Sequence, residues 1–195
     1  MPRVHVVKSA RKPQPHAGIE VGDSYYWWKF RFGGKHVSKT RPSRSQLTQS
    51  DFFSQMYAIE DDTIQNIETA EDIRNVIDEL ETLRDETQEK FDNMPDSLQY
   101  GSTGELLESR VEGCEEMINE LDNCAMELED KEGEMHELTR PEEPGEEPDD
   151  DDSDEWSAWE RATEEFEEYE REKDELESDL QSIVDEARNV SYQGE

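Results

Sequence analysis

Cysteine is nearly absent from this chain, which has only Cys114 and Cys124 among 195 residues. The two stand ten residues apart in a stretch that reads as helix. That spacing separates them by about 15 Å along the axis, too far for a disulfide. Both are expected to be small buried hydrophobes in a reducing compartment. No apolar run approaches membrane-spanning length, and the opening MPRVHVVKSARK lacks the apolar core of a signal peptide. A soluble, intracellular protein with no membrane contact is expected. Hydrophobic residues are also scarce, at 31% against 38% charged. Chains this polar have difficulty burying enough apolar surface to offset the entropy of ordering. Scarcest relative to its opposite is positive charge: 20 Lys and Arg face 54 Asp and Glu, for a net charge of −34.

Recognisable catalytic and metal-binding patterns are missing as well. His5, His16, His36 and His136 show no ligand spacing with one another or with the cysteines. Neither a glycine-rich phosphate loop nor a nucleophile elbow occurs. The acidic run Asp149–Glu155 lacks the glycine and ligand spacing of an EF-hand loop, so it would hold cations only diffusely. Carboxylate pairs are inevitable at this density and carry no catalytic information without one buried partner. No enzymatic activity, cofactor or metal is expected.

The aromatic residues that are present cluster at 25–32, 52–57 and 156–169, and the positive charge is concentrated at one end. Residues 1–50 hold ten Lys/Arg against Glu20 and Asp23, leaving a surplus of about eight positive charges, so the rest of the chain carries about −42. Such asymmetry points to nucleic-acid contact, a charged interaction tail, or both. Residues 3–7 read as a short strand, and 11–18 as a Pro/Gly loop. SYYWWKFRF, Gly33–Gly34 and KHVSKT then read as a β-hairpin with a two-residue type I′ turn. That turn would place Phe32 opposite Lys35 and Phe30 opposite Val37. Tyr26, Trp28, Phe30, Phe32 and Val37 would share one face, and Trp27, Lys29, Arg31, His36, Ser38 and Thr40 the other. The second face would be a cationic platform suited to a groove of DNA or to a single strand, or simply the solubilising outer face of a small sheet. Because the acidic part of the chain is tethered to the head, it could also occupy that platform.

Helical signals dominate beyond residue 45. A short helix is expected at 50–59. Three longer ones should open on capping boxes at Thr69 with Asp72, Ser102 with Glu105, and Ser157 with Glu160. The first carries Ile73, Val76, Leu80, Leu83, Thr87, Phe91 and Met94 before Pro95. The second carries Leu107, Val111, Cys114, Ile118, Leu121, Ala125 and Leu128. The third carries Trp159, Ala162, Phe166, Tyr169, Lys173, Leu176, Leu180, Ile183, Ala187 and Val190. This 3–4 rhythm with charged flanks argues for coiled-coil packing. The short DNMPDSLQYGS connection makes the first two an antiparallel hairpin. The third helix would complete a three-helix bundle or form a homodimer. PEEPGEEPDDDDSDE reads as a flexible acidic linker.

At SYYWWKFRFGGKHVSKT the chain resembles the three-stranded, AP2-like arm-binding head of phage-type tyrosine integrases, over roughly residues 3–45. That resemblance implies DNA contact through the sheet by Lys29, Arg31, Lys35 and Lys39. No recombinase catalytic domain follows, so it does not imply the integrase reaction. MPRVHVVKSARK, YYWWKFRFGGK with SQLTQS, and FDNMPDSLQYGSTGELLESRVEGCEEMINELD resemble uncharacterised proteins of tailed phages and prophages. That likeness implies a phage or mobile-element origin and no particular activity; together with the intracellular reading it gives the host-cell cytoplasm as the expected location.

The resulting expectation is a mainly α protein with a small N-terminal antiparallel β-sheet. Its parts would be a basic aromatic head at 1–45, a linker with a short helix at 46–68, an acidic helical hairpin at 69–138, an acidic linker at 139–155 and a coiled-coil helix at 156–195. Trp27, Lys29, Arg31, Lys35, His36, Lys39, Arg41 and Arg44 would bind DNA or RNA. Trp159, Phe166, Tyr169, Leu176, Leu180 and Ile183 would bind a host or phage protein, or a second copy. Two other readings compete. The acidic body could mimic DNA and inhibit a host defence or transcription enzyme, or the coiled coil could be a spacer or structural component of the virion or its assembly.

Overall fold

The computed structural model describes residues 1–148 and 154–194. Three strands, β1 (His5–Val7), β2 (Tyr25–Lys29) and β3 (Lys35–Ser38), precede five helices: α1 (Asp51–Ala58), α2 (Ala70–Asp92), α3 (Asp96–Gln99), α4 (Ser102–Glu137) and α5 (Asp154–Asn189). The fold is therefore mainly α with a small N-terminal antiparallel sheet, ordered β1-β2-β3. None of the described helices is long and apolar enough to cross a membrane. The chain divides into two compact units. One comprises Met1–Gln65, Asp78–Glu116 and the residues from Ser191 onward; the other comprises Asn66–Ile77 and Met117–Val190.

In the first unit the sheet register departs from the expected hairpin. Trp27 pairs with Val37, Trp28 with His36 and Lys29 with Lys35, so the loop spans residues 30–34. A type I′ turn needs two residues at positive φ, but only Gly33 has it, at 125°. The Gln49 side chain donates to the Phe32 carbonyl at 2.9 Å and pins the longer loop. Relative to the expected pairing the offset is three residues. An odd slip exchanges the faces of one strand against the other, so His36 and Ser38 join the Trp28 side, while Lys35 and Val37 join Trp27. The remaining elements of this unit bury Phe52, Met56, Ile59, Ile64, Leu80, Leu83, Thr87, Leu107 and Cys114. Ser50 caps α1 by accepting from the Phe53 N–H.

The C-terminal residues belong to the same unit. The Tyr192 ring lies 5.4 Å from the Phe52 ring and 6.0 Å from that of Phe53, measured between centroids. It sits against Gly113, where a Cβ would collide with it. The Tyr192 N–H donates to the buried Glu60 carboxylate at 2.9 Å. Arg44 donates to the same carboxylate at 2.9 Å and also holds Asp61.

The second unit is a three-helix arrangement. It buries Ile67, Ala70, Ile73 and Val76 from the segment around the start of α2, and Met117, Leu121, Cys124, Ala125 and Leu128 from α4. From α5 and the residue just beyond it come Leu176, Ile183, Val184, Ala187 and Val190. Arg74 pairs with Glu129 and Asp122, and Lys131 with Asp179. The Arg188 guanidinium donates to the Ile67 carbonyl. At the start of α2 the capping box forms as expected: Asp72 N–H donates to Thr69 Oγ1, and Thr69 N–H to the Asp72 carboxylate. These bonds hold the Asp72 carboxyl below its ordinary pKa, the Thr69 hydroxyl first among them. The other two expected boxes differ. The Gly101 carbonyl accepts the first bond of α4 from Glu105, giving Gly101 the cap position that Ser102 was expected to hold. Helix α5 starts at Asp154, so Ser157 lies inside it. Part of the expected flexible acidic linker, residues 149–153, lies outside the described residues.

Candidate nucleic-acid interface

The head is organised around β2, whose alternating side chains enter two different environments. On one face Tyr25 is buried with Ala10 and Ile19, and Val7, Ala17, Trp27 and Val37 pack against them. Backbone bonds from Ala10 to Asp23 and from Gly22 to Ala10 hold the covering loop in place. Trp27 is not an open stacking surface. His5 stacks on it at 4.2 Å between centroids, with planes 10° apart, and the Lys35 ammonium lies 4.5 Å from its centroid. On the other face Trp28 is buried and stacks on His36 at 5.5 Å, while Phe30 meets His36 edge-on. His36 thus serves the packing of Trp28 and does not share a platform with Lys29 or Trp27.

The cations divide into two groups. Lys39 pairs with Asp23 at 3.0 Å, and the Asp23 carboxyl, which also accepts from the Glu20 N–H, is held below its usual pKa. Arg44 is committed to Asp61 and Glu60 and lies 4.8 Å over the Tyr57 ring. Lys29, Arg31, Lys35 and Arg41 are exposed, and none forms an ion pair among the described residues. The same holds for Arg3, Lys8, Arg11 and Lys12. In a chain with 54 acidic residues, unpaired cations on one small sheet and its flanks make a concentrated positive surface.

Beside that surface lies a groove of about 480 Å³ lined by Lys29, Phe30, Arg31, Gln49, Phe53 and Tyr57, among others. Phe30, Phe53 and Tyr57 are half-buried, so their rings are held in place while an edge or face remains open. Cations beside partly exposed aromatics match the requirements of a site for unpaired bases. From sequence, Phe53 and Tyr57 stand only as members of the aromatic cluster on the expected short helix, whereas the structure brings them to the wall of the groove. Of the eight expected head residues, Lys29 and Arg31 line the groove, Lys35 and Arg41 are exposed nearby in the same unit, and Trp27, His36, Lys39 and Arg44 are engaged in packing or ion pairs.

The six residues expected to bind a protein separate in a similar way. Leu176 and Ile183 are buried in the second unit and Leu180 is half-buried, whereas Trp159, Phe166 and Tyr169 are half-exposed on the first part of α5. Both cysteines are free and buried, and desolvation pushes the Cys114 thiol up to about 11, leaving it inert near neutrality. Among the described residues, no cluster of three His, Cys, Asp or Glu side chains is placed to hold a metal ion. No family model, no curated protein and no solved structure matches the chain.

Proposed function

We propose that the protein is a non-enzymatic, phage-encoded accessory factor of the host cytoplasm. In this reading it binds nucleic acid, preferentially single-stranded, through its basic head and recruits a protein partner through its acidic helices. The observation that carries this reading is the groove walled by Phe30, Phe53 and Tyr57 and rimmed by Lys29 and Arg31, cations that no described carboxylate neutralises. Phosphates would sit against the cations and bases against the rings. The resemblance of the head to phage integrase arm-binding domains supports DNA contact by Lys29, Arg31 and Lys35.

Anisotropy of labelled 12-nucleotide single strands and duplexes with the intact chain tests it. Binding should weaken linearly in log–log form with added salt, with a slope of roughly −0.7 per phosphate neutralised on a single strand. The combined Lys29→Gln, Arg31→Gln variant should reduce that slope by about 1.4. Absence of binding to either form of DNA and to RNA at about 20 mM salt, where phosphate contacts are at their strongest, would refute the proposal.

A second reading, mimicry of DNA by the acidic body, draws support from the exposed carboxylate row Glu160, Glu164, Glu168 and Glu172 on α5. It predicts that the intact chain inhibits a DNA-binding enzyme, and that changing those four to Gln abolishes the inhibition.

A further inference from the structure

The first part of α5 carries an aromatic stripe that no described helix of its own unit covers. Lys131 of α4 pairs with Asp179 of α5, and Cys124 lies near Glu186, so the two helices run antiparallel. By that offset α4, which ends at Glu137, stops level with about Lys173. Between Asp154 and Lys173 no described residue of α5 is fully buried, yet Trp156, Trp159, Phe166 and Tyr169 are all half-buried. Trp156 and Trp159 lie 5.5 Å apart between ring centroids, and Phe166 and Tyr169 lie 6.3 Å apart.

What lies along the stripe is the chain's own proline-containing segment. Residues 138–148 leave α4 and continue past its end as non-helical backbone, antiparallel to α5. The Trp159 indole N–H donates to the Gly145 carbonyl at 2.9 Å, and the Arg140 guanidinium sits 5.7 Å from the Phe166 centroid. Pro141 and Pro144 lie between these two anchors. Proline fixes φ near −65° and restrains its predecessor to extended conformations. In a polyproline II segment, residues three apart lie on the same side. Pro141 and Pro144 are half-buried, while Glu142, Glu143, Glu146 and Glu147 are exposed. Prolines turned inward and an indole N–H given to a main-chain carbonyl are the general means by which aromatic grooves hold proline-rich ligands.

Charge complementarity shows that this occupant is poorly matched. Residues 154–172 hold nine Asp and Glu against Arg161 and Arg171. The segment on top of them adds four Glu against Arg140, so like charge lies along like charge. Midway along the stripe the Thr163 hydroxyl is buried without a hydrogen-bond partner among the described residues. Buried polar groups are ordinarily satisfied, and this one is left for an occupant to bond.

We propose that the Trp159–Phe166 stripe of α5 is a docking site for proline-rich peptides bearing lysine or arginine, and that residues 138–148 are a weak intramolecular stand-in. Such a ligand keeps the proline contacts and the Trp159 bond, and replaces four repelled carboxylates with attracted cations. The inference rests on the protein-recruiting half of the proposed function and is independent of the head.

The test uses the intact chain and an 11-residue peptide of residues 138–148 with Glu142, Glu143, Glu146 and Glu147 changed to Lys. The unaltered peptide, and a Lys peptide whose three prolines are replaced by Ser, serve as controls. Titration is followed by the Trp159 indole N–H resonance, assigned with Trp159→Phe, at about 50 and 300 mM salt to vary the screening. The Lys peptide should shift that resonance and bind at least about tenfold more tightly than the unaltered one, the size expected of four reversed surface charges. Read by anisotropy of the labelled peptide, which does not depend on that resonance, it should also lose affinity in Trp159→Phe and bind the Pro141→Ser, Pro144→Ser chain several-fold more tightly, because the stand-in is loosened. Three results would overturn the proposal. They are equal binding of the proline-free peptide, no binding to either chain, and a dimer seen by sedimentation in which a second copy's 138–148 segment is the occupant. If proteins lacking such motifs co-purify with the intact chain while the peptide fails, the recruiting role stands and this site does not.

Discussion

Replacing Tyr192 with Phe removes one oxygen atom from a site where it is poorly accommodated. The ring packs on Phe52, Phe53 and Gly113, and a Phe ring would keep those contacts. The hydroxyl is buried and has no hydrogen-bond partner among the described residues. A desolvated hydroxyl in that state costs about 1–3 kcal/mol. Since the residue is only half-buried, a gain of about 1 kcal/mol at pH 7 is expected from Tyr192→Phe. Alkaline pH should enlarge the difference. Burial pushes the Tyr192 hydroxyl from 10.0 up to about 12, so the unfolded chain ionises before the folded one. Stability from this group is complete below pH 10 and is lost as pH rises from 10 towards 12. For a fully enclosed group, two pH units correspond to about 2.7 kcal/mol. Solvent screening at this partly exposed ring reduces that to about 1 kcal/mol. Urea unfolding followed by circular dichroism, at pH 7 and at steps between 9 and 11.5, measures both effects as shifts in midpoint at constant slope. A variant less stable than the parent at pH 7, or parallel pH profiles above 10, would show that the hydroxyl is satisfied and the reasoning is wrong.

Other substitutions probe neighbouring contacts by the same unfolding assay. Gly133→Ala lies in open space within α4 and should stabilise by about 0.5–1 kcal/mol. Gly113→Ala in the same helix should destabilise by about 1 kcal/mol, because the lost packing of a displaced Tyr192 ring exceeds the gain in helix propensity. In a Tyr192→Ala background its sign should reverse. Asp72→Ala should cost about 1 kcal/mol at pH 7. Because hydrogen bonds from Thr69 and Glu68 hold the Asp72 carboxyl below its ordinary pKa, that cost should shrink as pH falls below about 4, which melts at pH 7 and in steps downward from pH 4 would reveal. Glu60→Ala leaves the Tyr192 N–H without its acceptor and Arg44 with Asp61 alone, and should cost about 1–2 kcal/mol. Glu60→Gln, which can still accept from Tyr192, should cost about half as much.

Helix seams were readable because burial on one side of a helix imposes a 3–4 rhythm. Ile73, Val76, Leu80, Leu83 and Thr87 were expected in a seam and are all buried. The α4 seam is broader than a heptad predicts, with Met117 and Cys124 buried beside Leu121 and Ala125. Within the second unit this helix has neighbours on two sides, and a two-residue seam describes only one. The sheet faces could not be read from the strand pattern. Alternation fixes which residues of β2 face together, but not the offset of β3, and a five-residue loop shifts that offset by an odd number. Two glycines suggest a type I′ turn, whereas the pairing sets Trp28 opposite His36 and only Gly33 of the loop has positive φ. Arg44 looked like one more cation of a basic head, and nothing local to it announces a carboxylate sixteen residues later. The pairing of Tyr192 with Glu60 is more distant still. Ion pairs and tail contacts formed across long separations leave no periodicity behind, so the candidate site was legible in its charge and only partly in its geometry.

The two units are interleaved along the sequence. The first is assembled from residues near the start, a middle stretch and the last few, so no single cut can free one unit intact from the other. A chain emerging from the ribosome cannot finish the first unit before it has made the second. Glu60 and Gly113 wait for Tyr192, which is synthesised 132 residues after Glu60. Folding one domain after another during translation, the usual course for chains with separable units, is therefore closed to this protein. A chain interrupted anywhere before Tyr192 would carry the cations of the head but lack the residue that seals Glu60.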